Sequence, residues 1–356
     1  MPMTHAELQF TLKIPPADDK ARRAARERQQ RLTKPRGALG RLELLSERLA
    51  AMRGTLLWYP SHPVVIICAA DHGIAARGVS AYPQAVTAQM VRNFLQGGAA
   101  VNVLARQMNA SVHIVDAGII GELPTHHHLT RGKIAPGTAD FSRGRAMTDQ
   151  QANAALALGM AVASAQIASG ADILCVGEMG IGNTTSASAI IAAMTGSAPA
   201  RVTGRGTGLD DDALAHKVRL IETALSLHEP AHEDTLSKIG GFEIGVMAGV
   251  MLGAAAQRVP VVIDGLISTA GALIAAQIAP QVTDYLIASH RGSEPGHIVA
   301  LEHLGLQPLL DLEMRLGEGT GALLALPLIE AAMRTLNEMA TFDEAGVSDR
   351  EADDAG

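Results

Sequence analysis

Short apolar runs, each closing on an acidic or polar residue beside glycine, recur along this chain: HPVVIICAADHG over 62–73, SVHIVDAG over 111–118, ADILCVGEMG over 171–180 and VPVVIDG over 259–265. A fifth run, TDYLIASHRG over 283–292, closes on Ser289 and His290. Ala-rich stretches at helical spacing lie between the runs, among them 87–108 and 152–170. Strands buried on both faces read as unbroken apolar runs, and strand alternating with helix gives a parallel sheet wrapped by helices. The pattern predicts an α/β protein with a doubly wound, mainly parallel, Rossmann-like sheet. In such sheets ligands gather outside the carboxyl ends of the strands. That rim would carry Asp71, His72, Asp116, Glu178, Asp264, Ser289 and His290. Asp and Gly are also ordinary turn formers after a strand, so each position alone has two readings. Convergence of several acids on one edge favours a site for the group.

The two ends of the chain follow a different pattern. Residues 17–52 read as two charged amphipathic helices interrupted at Lys34-Pro35-Arg36-Gly37, and residues 320–341 as another helix. They predict a small helical domain, 1–60 with 311–356, closing over a large α/β domain of 61–310. The last dozen residues are acidic and contain glycine, as a frayed tail does. The arginine run at 22–31 fits a solvated helix face.

Composition narrows the function. With 356 residues, 47 % of them apolar, the chain can bury a large core. Only 3 % aromatic residues and a formal charge of -7 argue against nucleic acid as a partner. No segment has 18 unbroken apolar residues and the N-terminal stretch lacks a signal peptide's basic flank, so a cytoplasmic protein that does not span a membrane is expected. Cys68 and Cys175 sit inside apolar runs and read as buried thiols rather than a disulfide or a metal pair.

Three loops carry candidate chemistry. GEMGIGNTTSASAII (177–191) offers three glycines, Asn183 and a helix start, the makings of a phosphate cradle, but no Lys follows as in a Walker loop. TGRGTGLDDDALAHKVRLIE (203–222) supplies Gly206 and, inside a helix, Lys217; its run Asp210-Asp211-Asp212 reads as a helix cap. EMRLGEGTGALLAL (313–326) sets one carboxylate, Glu318, among glycines, where neither packing nor turn chemistry asks for it. Metal ligation has little support. His126-His127-His128 are adjacent, so their side chains diverge, and Pro230 breaks the helix that would align His228 with His232. Nor do local motifs assemble a Ser-His-Asp or Cys-His arrangement.

Taken in order, KPRGALGRLE (34–43), ADHGIAARGVSAYPQAVTAQM (70–90), VGEMGIGNTT (176–185), KIGGFEIGVMAGVMLGA (238–254), VVIDGLIS (261–268) and RLGEGTGALLA (315–325) resemble the motifs of the nicotinate-nucleotide:dimethylbenzimidazole phosphoribosyltransferase family. The resemblance runs from about residue 30 to residue 340. It implies transfer of the phosphoribosyl group of nicotinate mononucleotide to 5,6-dimethylbenzimidazole, a pentosyltransferase reaction in cobalamin biosynthesis, with neither metal nor cofactor. It also implies a homodimer whose partner chain borders the cleft. By similarity Glu318 would be the base and Glu178 an electrostatic partner for the sugar. The phosphate would lie on Gly180, Ile181 and Gly182 with Asn183, at Gly206 and against Lys217. Tyr82, Met90, Met179 and Leu316 would form the benzimidazole pocket, and Asp264, Ser289 and His290 would lie near the nicotinate. Other readings stay open: the same chemistry on another base, a nucleosidase, or an inactive nucleotide-binding protein. Glu178, Glu318 and Lys217, all present, count against the last.

Overall fold

The structure is a computed structural model and describes residues 12–349. By their internal contacts these residues divide into two units, one holding His62–Ala325 together with the chain up to Pro15, the other holding Pro16–Ser61 and the chain from Leu326 onward. The division falls at 325/326 rather than 310/311, so the Glu318 loop belongs to the large unit.

The large unit is built on one six-stranded sheet: β1 (Pro63–Ala70), β2 (Ser111–Gly118), β3 (Leu129–Arg131), β4 (Ile173–Met179), β5 (Val261–Ile263) and β6 (Leu286–Ala288). The order is β3-β2-β1-β4-β5-β6, and every pairing is parallel. Each of the five apolar runs contributes a strand. The sixth, β3, is three residues long with one buried side chain, and so short a segment has no apolar run to announce it. All eight residues of β1 are buried, as a central strand covered on both faces must be. Cys68 and Cys175 lie buried and unbridged in β1 and β4, and burial pushes both thiols well up.

Small residues bring the covering helices in close. Every residue of the Phe242–Ala255 helix is buried, and it crosses the Asp149–Ala168 helix. A Cβ on Gly159 would come within 2.7 Å of the Val250 nitrogen, and one on Gly253 within 2.9 Å of the Met160 Cα. Glycine is needed there because backbone meets backbone. The order in which strands are added reverses between β1 and β4, so the crevice beyond their carboxyl ends is the switch point where ligands of such sheets collect.

The helical unit pairs the Asp19–Arg31 and Arg41–Arg53 helices. Between them Lys34 donates to Glu43 at 2.7 Å with both side chains largely buried. Residues 350–356, most of the expected acidic tail, and residues 1–11 lie outside the described residues. No described helix is long and apolar enough to cross a membrane.

Candidate active site

A cavity of about 530 Å³ opens at the switch point. Of the residues singled out from sequence, Tyr82, Met90, Glu178, Met179, Gly180, Ile181, Asn183, Gly206, Asp264, His290, Leu316 and Glu318 line it. Gly182, Lys217 and Ser289 do not reach its wall. Gly182 instead starts the Asn183–Thr195 helix with a φ of +96°, a left-handed turn that glycine adopts without strain. Ser289 is buried and bonded to His290 Nδ1 at 2.9 Å. Lys217 is fully buried behind the Gly206 loop, donating to Thr184 Oγ1 at 2.8 Å and to the Gly204 carbonyl at 3.3 Å. Burial brings its ammonium down to about 8, against a small opposing pull from Glu294.

The rim of acids sorts into two groups. Asp116 accepts from the Ile119 N–H at 2.8 Å in its own turn, and Asp71 reaches across from the end of β1 to accept from the Ile120 N–H at 2.7 Å, so both serve the turn that follows β2. His72 turns away from the cavity and pairs through Nε2 with Glu243 at 2.5 Å, while Nδ1 meets Ser186 Oγ at 3.2 Å. Glu178 and Asp264 face the cavity from β4 and β5, and Glu318 completes the set from its loop.

Two carboxylates dominate. Glu178 accepts from the Asn183 side-chain amide. Burial raises its pKa to about 8, helped by the charges of Glu243, Asp264 and Glu318 and opposed by the Asn183 bond. Glu318 has one oxygen, Oε2, that is buried and finds no hydrogen-bond partner among the described residues. Burial first, and then the charge of Asp264, brings its pKa to about 7. Its backbone is unusual: Gly317, Glu318 and Gly319 have φ of +85°, +63° and +86°. A left-handed glutamate costs roughly 1–2 kcal/mol, which the surroundings must offset.

The mouth is apolar. Tyr82 and Leu316 are each 56 % exposed while lining the cavity with Val86 and Met90. Such a surface suits a flat aromatic ligand. The Asn183–Thr195 helix starts at the cavity wall, which Gly180, Ile181, Asn183 and Thr184 line; the Ile181 N–H is already donated to Thr87 Oγ1 at 3.1 Å.

Glu243, Glu294, Thr184 and His297 also belong at or behind the site, and sequence reading gave them no role. Glu243 had a signal: it is the one acid in an otherwise apolar, wholly buried helix, where a charge needs a partner. Glu294 lines the cavity, accepts from the Gly206 N–H at 3.0 Å and leaves Oε2 without a hydrogen-bond partner among the described residues. His297 is held neutral, pulled down to about 3 by burial and by His290.

A parallel sheet of this order, with carboxylates and a glycine-led helix start around one crevice, defines an α/β protein with a ligand site at its switch point. The DBI_PRT family model, described as phosphoribosyltransferase, matches residues 14–347, and the chain belongs to that family. Among its relatives is the nicotinate-nucleotide--dimethylbenzimidazole phosphoribosyltransferase of Chloroflexus aurantiacus, 57 % identical over 340 residues that cover 95 % of this chain and 97 % of the relative. That of Roseiflexus sp. (strain RS-1) is 58 % identical over 339 residues, 94 % of this chain and 96 % of the relative. The crystal structure of nicotinate-nucleotide-dimethylbenzimidazole phosphoribosyltransferase from Thermus thermophilus aligns with a TM-score of 0.90 at 46 % identity, covering 94 % of this chain and all of that one.

Proposed function

We propose that this protein transfers the 5-phosphoribosyl group of nicotinate mononucleotide to 5,6-dimethylbenzimidazole with inversion at C1′, releasing nicotinate and α-ribazole 5′-phosphate for cobalamin biosynthesis. The observation that carries the reading is the pair of carboxylates on one cavity, Glu178 tied to Asn183 and Glu318 with an unpartnered oxygen.

The lone pair of one benzimidazole nitrogen attacks C1′ as the bond from C1′ to the pyridinium nitrogen breaks. The electrons of that bond neutralise the pyridinium. The other benzimidazole nitrogen becomes acidic as its ring gains positive charge, and its proton passes to Glu318. A base that ionises near 7 is matched to that task. Glu178 stabilises positive charge building on the ribose ring. It is the more strongly raised of the two, and a bound pyridinium cation would draw it back toward ionisation. Tyr82, Met90, Met179 and Leu316 hold the acceptor base. His290, held from behind by Ser289, closes the nicotinate end beside Asp264. The phosphate lies against Gly180, Ile181 and Asn183, on the helix start that Gly182 opens, and against the Gly206 loop, and Lys217 adds positive charge from behind through Thr184. The working form is a cytoplasmic homodimer with the partner chain bordering the apolar mouth.

The test is to incubate the protein with both substrates and resolve the products by chromatography. Equal amounts of nicotinate and α-ribazole 5′-phosphate support the reading. Nicotinate without ribazole would mark a hydrolase, and nucleotide binding without turnover an inactive binding protein.

A further inference from the structure

Asp264 stands at the end of β5, 2 % exposed, and its carboxylate is turned into the start of the Thr320–Glu338 helix. Oδ2 accepts from the Gly319 N–H at 3.0 Å, and Oδ1 accepts from the N–H groups of Gly321 at 2.8 Å and Ala322 at 3.1 Å. The Thr320 N–H goes to the Gly317 carbonyl at 3.1 Å. A helix start leaves its first N–H groups without intrahelical acceptors. Here four consecutive ones, from 319 to 322, are satisfied, three of them by this one side chain from a different strand. Position 321 has to be glycine for the fit, since a Cβ there would collide with His290 Nδ1 and lie 2.8 Å from Asp264 Oδ1.

We propose that Asp264 is a positioning residue for Glu318: its carboxylate clamps the helix start that follows the loop and thereby fixes the left-handed backbone presenting Glu318 to the cavity. The inference rests on Glu318 being the base. It departs from a role for Asp264 as a direct contact of nicotinate, because three of the roughly four acceptor positions of a carboxylate are already taken.

The clamp accounts for a conformation that local preference disfavours. Gly317 and Gly319 accept positive φ readily, whereas Glu318 between them does not, and a strained residue persists only where its surroundings over-determine it. A carboxylate bonded to the amide directly after Glu318 and to two more within the next turn supplies that constraint. It also places a second negative charge near Glu318, and that charge, after burial, holds the Glu318 proton toward neutral pH. The titratable groups around the pair are Glu178 from β4 and His290 from the end of β6, whose Nδ1 is 3.8 Å from Asp264 Oδ1. Burial pushes the Asp264 pKa up, while His290 and the three amides pull it back, so the clamp itself favours the ionised carboxylate.

Asp264→Asn keeps the shape and an acceptor oxygen but removes the charge and one of the two acceptor ends. We expect kcat to fall by roughly 10- to 100-fold, the scale for a reacting group displaced by about an ångström, with KM for dimethylbenzimidazole changed less than about 3-fold on the same ground. The acidic limb of the kcat profile should move to lower pH, because the charge raising the Glu318 pKa is gone. An unmoved limb with unchanged kcat overturns the proposal. Amide exchange on the wild-type protein gives a reading that needs no variant: Gly319, Gly321 and Ala322 should be protected, and exchange as fast as at an uncapped helix start overturns the clamp. Infrared titration of the carboxyl groups, assigned with Glu318→Gln, separates the two assignments. If Asp264→Asn shifts the Glu318 band while Glu318→Gln turns over normally, the clamp stands and the base assignment falls. If the band does not shift, the electrostatic part of the clamp falls whatever Glu318 does.

Discussion

Glu178 and Glu318 line the same cavity, both are buried, and both follow or sit among glycines, yet the chain has treated them in opposite ways. Glu178 continues a regular strand and is bonded to Asn183, the first residue of the helix that follows. Glu318 sits on a left-handed backbone in a loop, with a buried oxygen left without a hydrogen-bond partner among the described residues. A partnered carboxylate is held in one orientation toward the charge it is to face, whereas an unpartnered one retains an acceptor for an incoming proton. The difference assigns electrostatics to one and proton transfer to the other, and it can be broken from either side.

The largest effect is expected from Glu318→Gln, which should lower turnover by roughly 10²- to 10⁴-fold, the span of a general base, and leave nucleotide affinity in place by equilibrium titration. Glu178→Gln should lower kcat by about 10²- to 10³-fold, as removal of a preorganised electrostatic group does. The same variant should make the free protein more stable at pH 8. Because its folded pKa lies near 8 and the ordinary value is 4.5, ionising Glu178 costs more in the folded protein than in the unfolded chain. That cost is absent below about pH 4.5 and grows as pH rises toward 8, so the gain from Gln, about 1–3 kcal/mol, should show as a higher Tm at pH 8 and vanish near pH 4. An equal Tm difference at both pH values would contradict it.

Lys217→Ala comes next. Loss of the buried ammonium behind Thr184 should raise KM for nicotinate mononucleotide by roughly 10- to 100-fold, the range for a charged hydrogen bond, with a smaller change in kcat. An unchanged KM in a folded variant would exclude Lys217 from phosphate binding. Asn183→Ala should have the smallest effect, a loss of roughly 3- to 10-fold in kcat/KM, as for one neutral hydrogen bond. Without the Asn183 bond the Glu178 pKa should move up, readable by infrared titration of the free protein, and a downward shift would contradict the partnered role.

Much of this arrangement is legible in the sequence, and the limits have physical reasons. Five strands announce themselves as apolar runs, because strands covered on both faces need no polar alternation. β3 does not, since Leu129–Arg131 has only one buried side chain to mark it. The acids at the strand ends are equally visible at Asp71, Asp116, Glu178 and Asp264, but periodicity does not say which way each one turns. Asp116 bonds to an amide of its own turn, while Asp71 and Asp264 bond to amides of segments far along the chain, and only the folded backbone decides among them. Glu243 and Glu294 were missed for a related reason: each is recognised through a distant partner, His72 for one and Gly206 for the other.

The most direct test of the central claim is the single-turnover rate of α-ribazole 5′-phosphate formation against pH, for the wild-type protein and for Glu318→Gln. The wild-type rate should rise as pH climbs through about 7, where Glu318 gives up its proton, and the variant should be slow with that rise gone. A variant that keeps both the rate and the limb would show that the unpartnered carboxylate is not the base.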